Sequence, residues 1–286
     1  MTRNRKRHWI EAARLALLVV CAATTILGGV RQAFAELPEL LRVVTYNIHH
    51  GRGLDGKIDL PRIARVLRST EADIVALQEV DQGTRRSGGV DQPGELARLT
   101  GMQVVFGRNI DYDGGGYGTA VLTRLPIRSH HSVKLRSFYQ ATAEHSEQRG
   151  VQVLELGERE GLQLLFLNTH LDYRPPDDER MASAATINDL VQQRGDVLAI
   201  LAGDLNALPE SRVIGEFARH WKIAGAIEPS NEQKKNYLTF PADKPNRWID
   251  YIMVYPPRRW QVVEVRVIEE AVASDHRPLL AVLRRK

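Results

Sequence analysis

Val197-Leu198-Ala199-Ile200-Leu201-Ala202-Gly203-Asp204-Leu205-Asn206 is a short apolar run that ends in a glycine, a carboxylate and an amide. The run from Val197 to Ala202 reads as a buried strand, with the polar residues at its end. The same pattern recurs three times. Leu41 to Tyr46 leads to Asn47, Ile74 to Leu77 leads to Gln78-Glu79, and Gln163 to Asn168 leads into Thr169-His170. Four strands thus finish in carboxylate, amide or imidazole. Strand ends are where α/β sheets usually assemble sites, because a buried backbone holds the side chains in place.

Further strand-like runs are Gln103 to Phe106, Gly118 to Thr123, Val151 to Leu156, Trp248 to Val254, Val262 to Ile268 and Leu279 to Leu283. Ten strands are too many for one simple parallel sheet, so two packed sheets are expected. Helices are marked by their ends. Asp59 caps a helix with Pro61 in its first turn and Ile63, Val66 and Leu67 on one face. A second runs from Pro93 to Thr100 and stops at Gly101, a third from about Asp178 to Arg194 closes at Gly195, and a fourth runs from about Pro209 to His220. Strands alternating with helices indicate a layered α/β architecture.

Residues 1 to 35 read as an export signal: Arg3, Arg5, Lys6, Arg7 and Arg14, then the apolar run Leu15 to Val30, then Ala33-Phe34-Ala35. Cleavage is expected after Ala35, leaving 36–286 as one domain. The alternative is an uncleaved membrane anchor, for which the run is short. Without the signal, 33 basic residues face 34 acidic ones, so the overall pI gives no argument for a polyanion partner. Cys21 lies inside the signal and no other cysteine follows. Any metal is therefore held by oxygen or imidazole.

Six blocks carry a resemblance: Tyr46-Asn47-Ile48, Leu77-Gln78-Glu79-Val80, Thr169-His170-Leu171, Gly203-Asp204-Leu205-Asn206-Ala207, Ile249-Asp250-Tyr251-Ile252 and Ser274-Asp275-His276-Arg277-Pro278. In these blocks and their order the chain resembles the endonuclease/exonuclease/phosphatase superfamily from Leu41 to Leu283. The resemblance implies an α/β fold of four layers (α/β/β/α), two packed mixed β-sheets between helices, as in DNase I. It also implies a phosphoesterase that uses Mg²⁺, with Mn²⁺ as a second choice. Glu79 would hold the metal, helped by Asn47 and Asp275. Asp204 and Asn206 would face the attacking water and the scissile phosphate. His276 would contact the phosphate or take the water proton, with Asp250 fixing its tautomer. Whether Asp204 or His276 is the base stays open. His170 would serve a non-bridging oxygen or the leaving group, and Arg149 and Tyr117 would lie near the phosphate. A zinc site built from His49, His50 and His170 matches no common ligand spacing.

Departures bear on substrate. DNA-repair relatives carry an acidic or amide residue two positions after Asn47, where this chain has His49. Secreted nucleases place a carboxylate two residues beyond the Tyr117 equivalent, where this chain has Thr119. Trp248 stands where the family often has arginine. Gly114-Gly115-Gly116 lacks the lysine of a P-loop and reads as a flexible loop beside the site. The dense basic clusters, Arg85-Arg86, Arg258-Arg259 and Arg284-Arg285-Lys286, read as solvated surface. A small or lipid-derived phosphate ester, reached at a membrane surface in the lipid case, is therefore expected over nucleic acid. A catalytically inactive binding module is the reading from another class.

Overall fold

The computed structural model describes residues 37–137, 147–157, 163–225 and 235–286. The expected export signal falls outside the described residues, among which no helix is long and apolar enough to cross a membrane. In chain order the described elements are β1 (Leu40–Asn47), α1 (Leu60–Ser69), β2 (Ile74–Gln82), α2 (Gln92–Thr100), β3 (Gln103–Tyr112), β4 (Gly115–Thr123), β5 (Ile127–Lys134) and β6 (Gly150–Leu156). There follow β7 (Leu164–His170), α3 (Asp178–Gln192), β8 (Leu198–Asp204), α4 (Arg212–Ala218), β9 (Lys222–Ile223), β10 (Asp250–Tyr255), β11 (Trp260–Val267) and β12 (Leu279–Arg285).

The strands form two mixed sheets, ordered β11-β12-β1-β2-β4-β3 and β5-β6-β7-β8-β10-β9. Each is built around one parallel pair, β1 with β2 and β7 with β8, flanked by antiparallel neighbours. In each pair a helix makes the return crossing, α1 in the first and α3 in the second. The inner faces meet in one apolar core that includes Val43, Ile74, Val121, Leu154, Phe166, Ile200, Ile252 and Ala281. Outside, α1 and α2 bury Ile63, Leu67 and Leu96 against Tyr46, Leu77 and Leu122. On the opposite outer face, α3 and α4 bury Ile187, Val191 and Phe217 against Leu165, Leu167 and Met253. The result is the expected four-layer α/β/β/α sandwich.

The helix signals act as read. Asp59 Oδ1 accepts from Arg62 N at 2.8 Å, and Gly101 takes the left-handed conformation after α2 with φ 70°. The last helix is shorter than expected, because Ser211 rather than Pro209 caps it. Two strands escaped the sequence reading. β5 is polar and largely exposed at a sheet edge, and β9 has only two residues. The glycine run is no loop: Gly115 and Gly116 are inside β4, and only Asp113 and Gly114 turn the β3–β4 hairpin.

Candidate active site

Period-two alternation builds the site. Along the inner faces the side chains grade from apolar to polar toward one end of the sandwich: Val43, Thr45, Asn47 on β1; Ile74, Ala76, Gln78 on β2; Val121, Thr119, Tyr117 on β4; Leu164, Phe166, Asn168, His170 on β7; Leu198, Ile200, Ala202, Asp204 on β8; Val254, Ile252, Asp250 on β10. Register then sets the residues abreast. Asp204 pairs with His170 on one side and with Asp250 on the other, and Asn47 pairs with Gln78. Glu79 would point to the wrong face but for a bulge in β2 between Leu77 and Val80, where Glu79 takes φ 55°. Bulges re-aim side chains in this way at sites.

A hydrogen-bonded chain joins both sheets. Asn47 Nδ2 donates to Glu79 Oε1 at 3.0 Å and to Asp204 Oδ2 at 3.2 Å. Asp204 Oδ2 lies 3.5 Å from His170 Nε2 and 3.7 Å from His276 Nε2. His276 Nδ1 is 2.9 Å from Asp250 Oδ2, which also accepts from the Thr239 hydroxyl. Asn206 Nδ2 donates to Leu171 O and to His170 Nε2, both at 3.1 Å. The carbonyl contact fixes the amide, so His170 Nε2 is an acceptor and that ring is neutral.

The electrostatics follow from burial and partners. Burial, with Asp250 adding to it, raises Asp204 to about 7. Burial alone would lower His276, but the Asp250 carboxylate, by charge and hydrogen bond, and then Asp204 and Asp275 more than reverse this, lifting it to about 10. Burial, then Arg149 and His276, hold His170 well below its ordinary range. At neutral pH His276 is thus a cation able to meet a phosphoryl oxygen.

Arg149 and Tyr117 flank this chain. Arg149 is buried, pairs with Glu147 at 2.8 Å and keeps Nε without a hydrogen-bond partner. Such a buried guanidinium edge suits an anion. Tyr117 is backed by Arg86, whose guanidinium lies 5.2 Å from its ring and is held by Asp81 at 2.7 Å. Glu147 was not foreseen, and neither was the layer beneath the site. There Gln78 Nε2 donates to Asn168 Oδ1, while Asn168 Nδ2 donates to Leu77 O, Ala120 O and Gln152 Oε1. Thr119 bonds Gln152, so it serves this network rather than His170. Counting every second residue back from Asn47, His170 and Tyr117 would have found Thr45, Asn168 and Thr119.

Asp275 lies beside Asn47: Ser274 Oγ donates to Asn47 O at 2.7 Å and to Asp275 Oδ1 at 3.3 Å. The Glu79 and Asp275 carboxylates would be the hard donors for Mg²⁺ or Mn²⁺, whereas Asn47 turns its Nδ2 to Glu79 and its Oδ1 accepts from His49 N at 3.0 Å. A bound cation there would supply charge to a phosphoryl oxygen. The three-histidine grouping does not form. His49 and His50 converge on Glu79, and His170 belongs with Asp204 and Asn206. The grouping of Asp204, Asp250 and His276 is a proton-holding couple rather than a metal cage, since His276 and Asp250 bond each other.

The foreseen basic clusters are mostly neutralised locally. Arg85 pairs with Asp113, Arg86 with Asp81, Arg258 and Arg259 with Asp196, and Arg284 with Glu39. Trp248 is buried and donates from Nε1 to Asp250 O at 2.9 Å, so it supports the Asp250 backbone at the position where the family often has arginine.

Comparison with known proteins agrees with this arrangement. The Endonuclease/Exonuclease/phosphatase family model matches residues 44–276. Uncharacterized protein YbhP of Escherichia coli K12 is 29% identical over 264 residues, spanning 84% of this chain and 94% of that protein. An endonuclease/exonuclease/phosphatase from Beutenbergia cavernae superposes with TM-score 0.66 at 23% identity, over 87% of this chain and 72% of that one. A mannosyl-6-phosphatase of Bacteroides thetaiotaomicron superposes with TM-score 0.62 at 20% identity, over 85% and 99% of the two chains. The chain belongs to the Endonuclease/Exonuclease/phosphatase family of phosphoester hydrolases.

Proposed function

We propose that the chain is an exported, Mg²⁺-dependent phosphoesterase that hydrolyses small or lipid-derived phosphate mono- or diesters, with Mn²⁺ as an alternative ion. The observation that carries this reading is the continuous chain Glu79–Asn47–Asp204–His276–Asp250, which sets a metal-ligating carboxylate beside a proton acceptor and a buried imidazolium. In this reading Asp204 takes the proton of the attacking water and Asn206 orients that water. His276, held by Asp250, and Arg149 carry the charge that develops on the phosphoryl oxygens. Neutral His170, whose Nε2 accepts from Asn206, holds that amide beside the phosphoryl group and its leaving oxygen, and Tyr117 closes the flank. Local pairing of the arginine clusters supports a small or lipid-derived substrate over nucleic acid. The likeness to a mannosyl-6-phosphatase fits, because a sugar phosphate is of that size class.

The test is a panel. The protein lacking residues 1–35 is assayed with Mg²⁺, Mn²⁺ or EDTA on bis-p-nitrophenyl phosphate, p-nitrophenyl phosphate, plasmid DNA and phospholipid vesicles. Metal-dependent release from the small esters or the vesicles is expected. Nicking of plasmid alone turns the reading to a secreted nuclease, and silence on every substrate to a binding module. Fractionation of cells making the full chain tests export, with recovery in the cytosol counting against it.

A further inference from the structure

His49 and His50 are left over by the mechanism, yet the fold brings both to Glu79. The candidate ligand atoms of His49, His50 and Glu79 all lie within 4.8 Å of one another. His50 is 8% exposed, and the Nδ1 atoms of both rings are buried without a hydrogen-bond partner. A buried polar group left so is destabilising, so these nitrogens call for a partner. Their ring centres are 4.6 Å apart and edge-on. Two imidazoles sharing one ion at ~2.1 Å per nitrogen hold their centres roughly 4.5–5 Å apart. His49 Nδ1 also lies 3.8 Å from Asp275 Oδ1, too far for a hydrogen bond and within the spacing of two ligands on one ion. The backbone fixes the pair: both residues have φ 46°, Gly51 N bonds Ile48 O at 2.8 Å, and Gln92 Nε2 donates to His50 O at 2.7 Å.

We infer that His49 and His50 join Glu79 as a two-imidazole, one-carboxylate metal set that takes a borderline divalent transition ion, of the Mn²⁺ or Co²⁺ kind, in preference to Mg²⁺. The inference rests on Glu79 being the metal ligand of the proposed function and sharpens the identity of the resident ion. Mg²⁺ favours oxygen donors and keeps its waters, whereas imidazole nitrogen favours first-row transition ions. The His49–His50 pair therefore biases the site away from an ion that the oxygen donors alone would accept.

The experiment uses metal-free protein lacking residues 1–35. It is titrated calorimetrically with MgCl₂, MnCl₂ and CoCl₂, and the Mn²⁺-loaded protein is examined by pulsed electron paramagnetic resonance for ¹⁴N coupling. Imidazole ¹⁴N coupling is expected, with Mn²⁺ and Co²⁺ bound at least ~100-fold more tightly than Mg²⁺. The double variant His49→Asn/His50→Asn, whose new side chains tolerate positive φ, should lose that coupling. Its affinity for Mn²⁺ should fall at least ~10-fold while that for Mg²⁺ stays within ~threefold. Absence of ¹⁴N coupling in the unaltered protein overturns the inference, as does equal loss of Mg²⁺ and Mn²⁺ affinity in the variant. Nitrogen coupling in a protein inert on every phosphate ester leaves the inference standing and sinks the proposed function. Hydrolysis without nitrogen coupling does the reverse.

Discussion

Replacing Asp250 with Asn keeps the shape of the side chain and removes the charge that holds a proton on His276. The two groups are 2.9 Å apart and both are buried. Breaking a buried ion pair costs roughly 3–5 kcal/mol; the amide can still accept from Thr239, so a loss of about 2–4 kcal/mol at pH 7 is expected. The sign of the pH dependence follows from the shift. His276 is raised from its ordinary value near 6.5 to about 10, so its stabilisation is complete below pH 6.5 and is lost as pH climbs toward 10. In Asp250→Asn the strongest opposition to burial is gone and only Asp204 and Asp275 still favour the charged ring, so the imidazole binds its proton much more weakly. The stability gap between the two proteins should therefore narrow from pH 7 to pH 10, at up to about 1.4 kcal/mol per pH unit. Urea unfolding at each pH measures it. Turnover of bis-p-nitrophenyl phosphate should fall ~100-fold to 10,000-fold, as when an oriented imidazole loses its carboxylate. A gap constant across that range, or turnover within threefold of the unaltered protein, would refute the reasoning.

Glu79→Ala and His276→Ala should each lower turnover at least ~100-fold with the fold retained, checked by steady-state rates and circular dichroism. Arg149→Met should raise KM and lower kcat/KM ~100-fold and should also lower the melting temperature, because Glu147, paired with Arg149 at 2.8 Å, loses its counter-charge. Asn168→Ala strips donors from two buried carbonyls and should cost about 2–4 kcal/mol in urea unfolding. Asn47→Asp sets a third carboxylate between Glu79 and Asp204, so the metal-free protein should melt lower and gain more from added Mn²⁺ than the unaltered protein, read by calorimetry.

The strand ends were legible because apolar runs stop abruptly at Asn47, Gln78-Glu79, His170 and Asp204. Burial of whole strands leaves no other reading for so polar a finish. Asp250 and His276 were legible only through the resemblance, since nothing local joins residues 26 apart in sequence. Strand β5 was hidden because Ile127 to Lys134 lies at an edge, where one face is solvated and pairing to β6 alone maintains the strand. The convergence of His49 and His50 on Glu79 was hidden for a different reason. It needs two consecutive residues at positive φ and a bulge in another strand, and neither leaves a composition signal.

The charges at the mouth of the sandwich set an order of events. Glu79, Asp275 and the Asp250–His276 couple gather around Asn47 and Asp204, so without a cation the metal-side face is predominantly anionic. Buried Arg149, already paired with Glu147, cannot balance that face from the other flank. A phosphate ester approaching the metal-free site thus meets carboxylates first, and in a low-dielectric cleft that repulsion is weakly screened. Cation binding reverses the local field and turns the same residues from a barrier into a receptor. Metal before substrate is the order this arrangement favours, and affinity for a non-hydrolysable phosphate ester should rise with cation occupancy rather than with ionic strength.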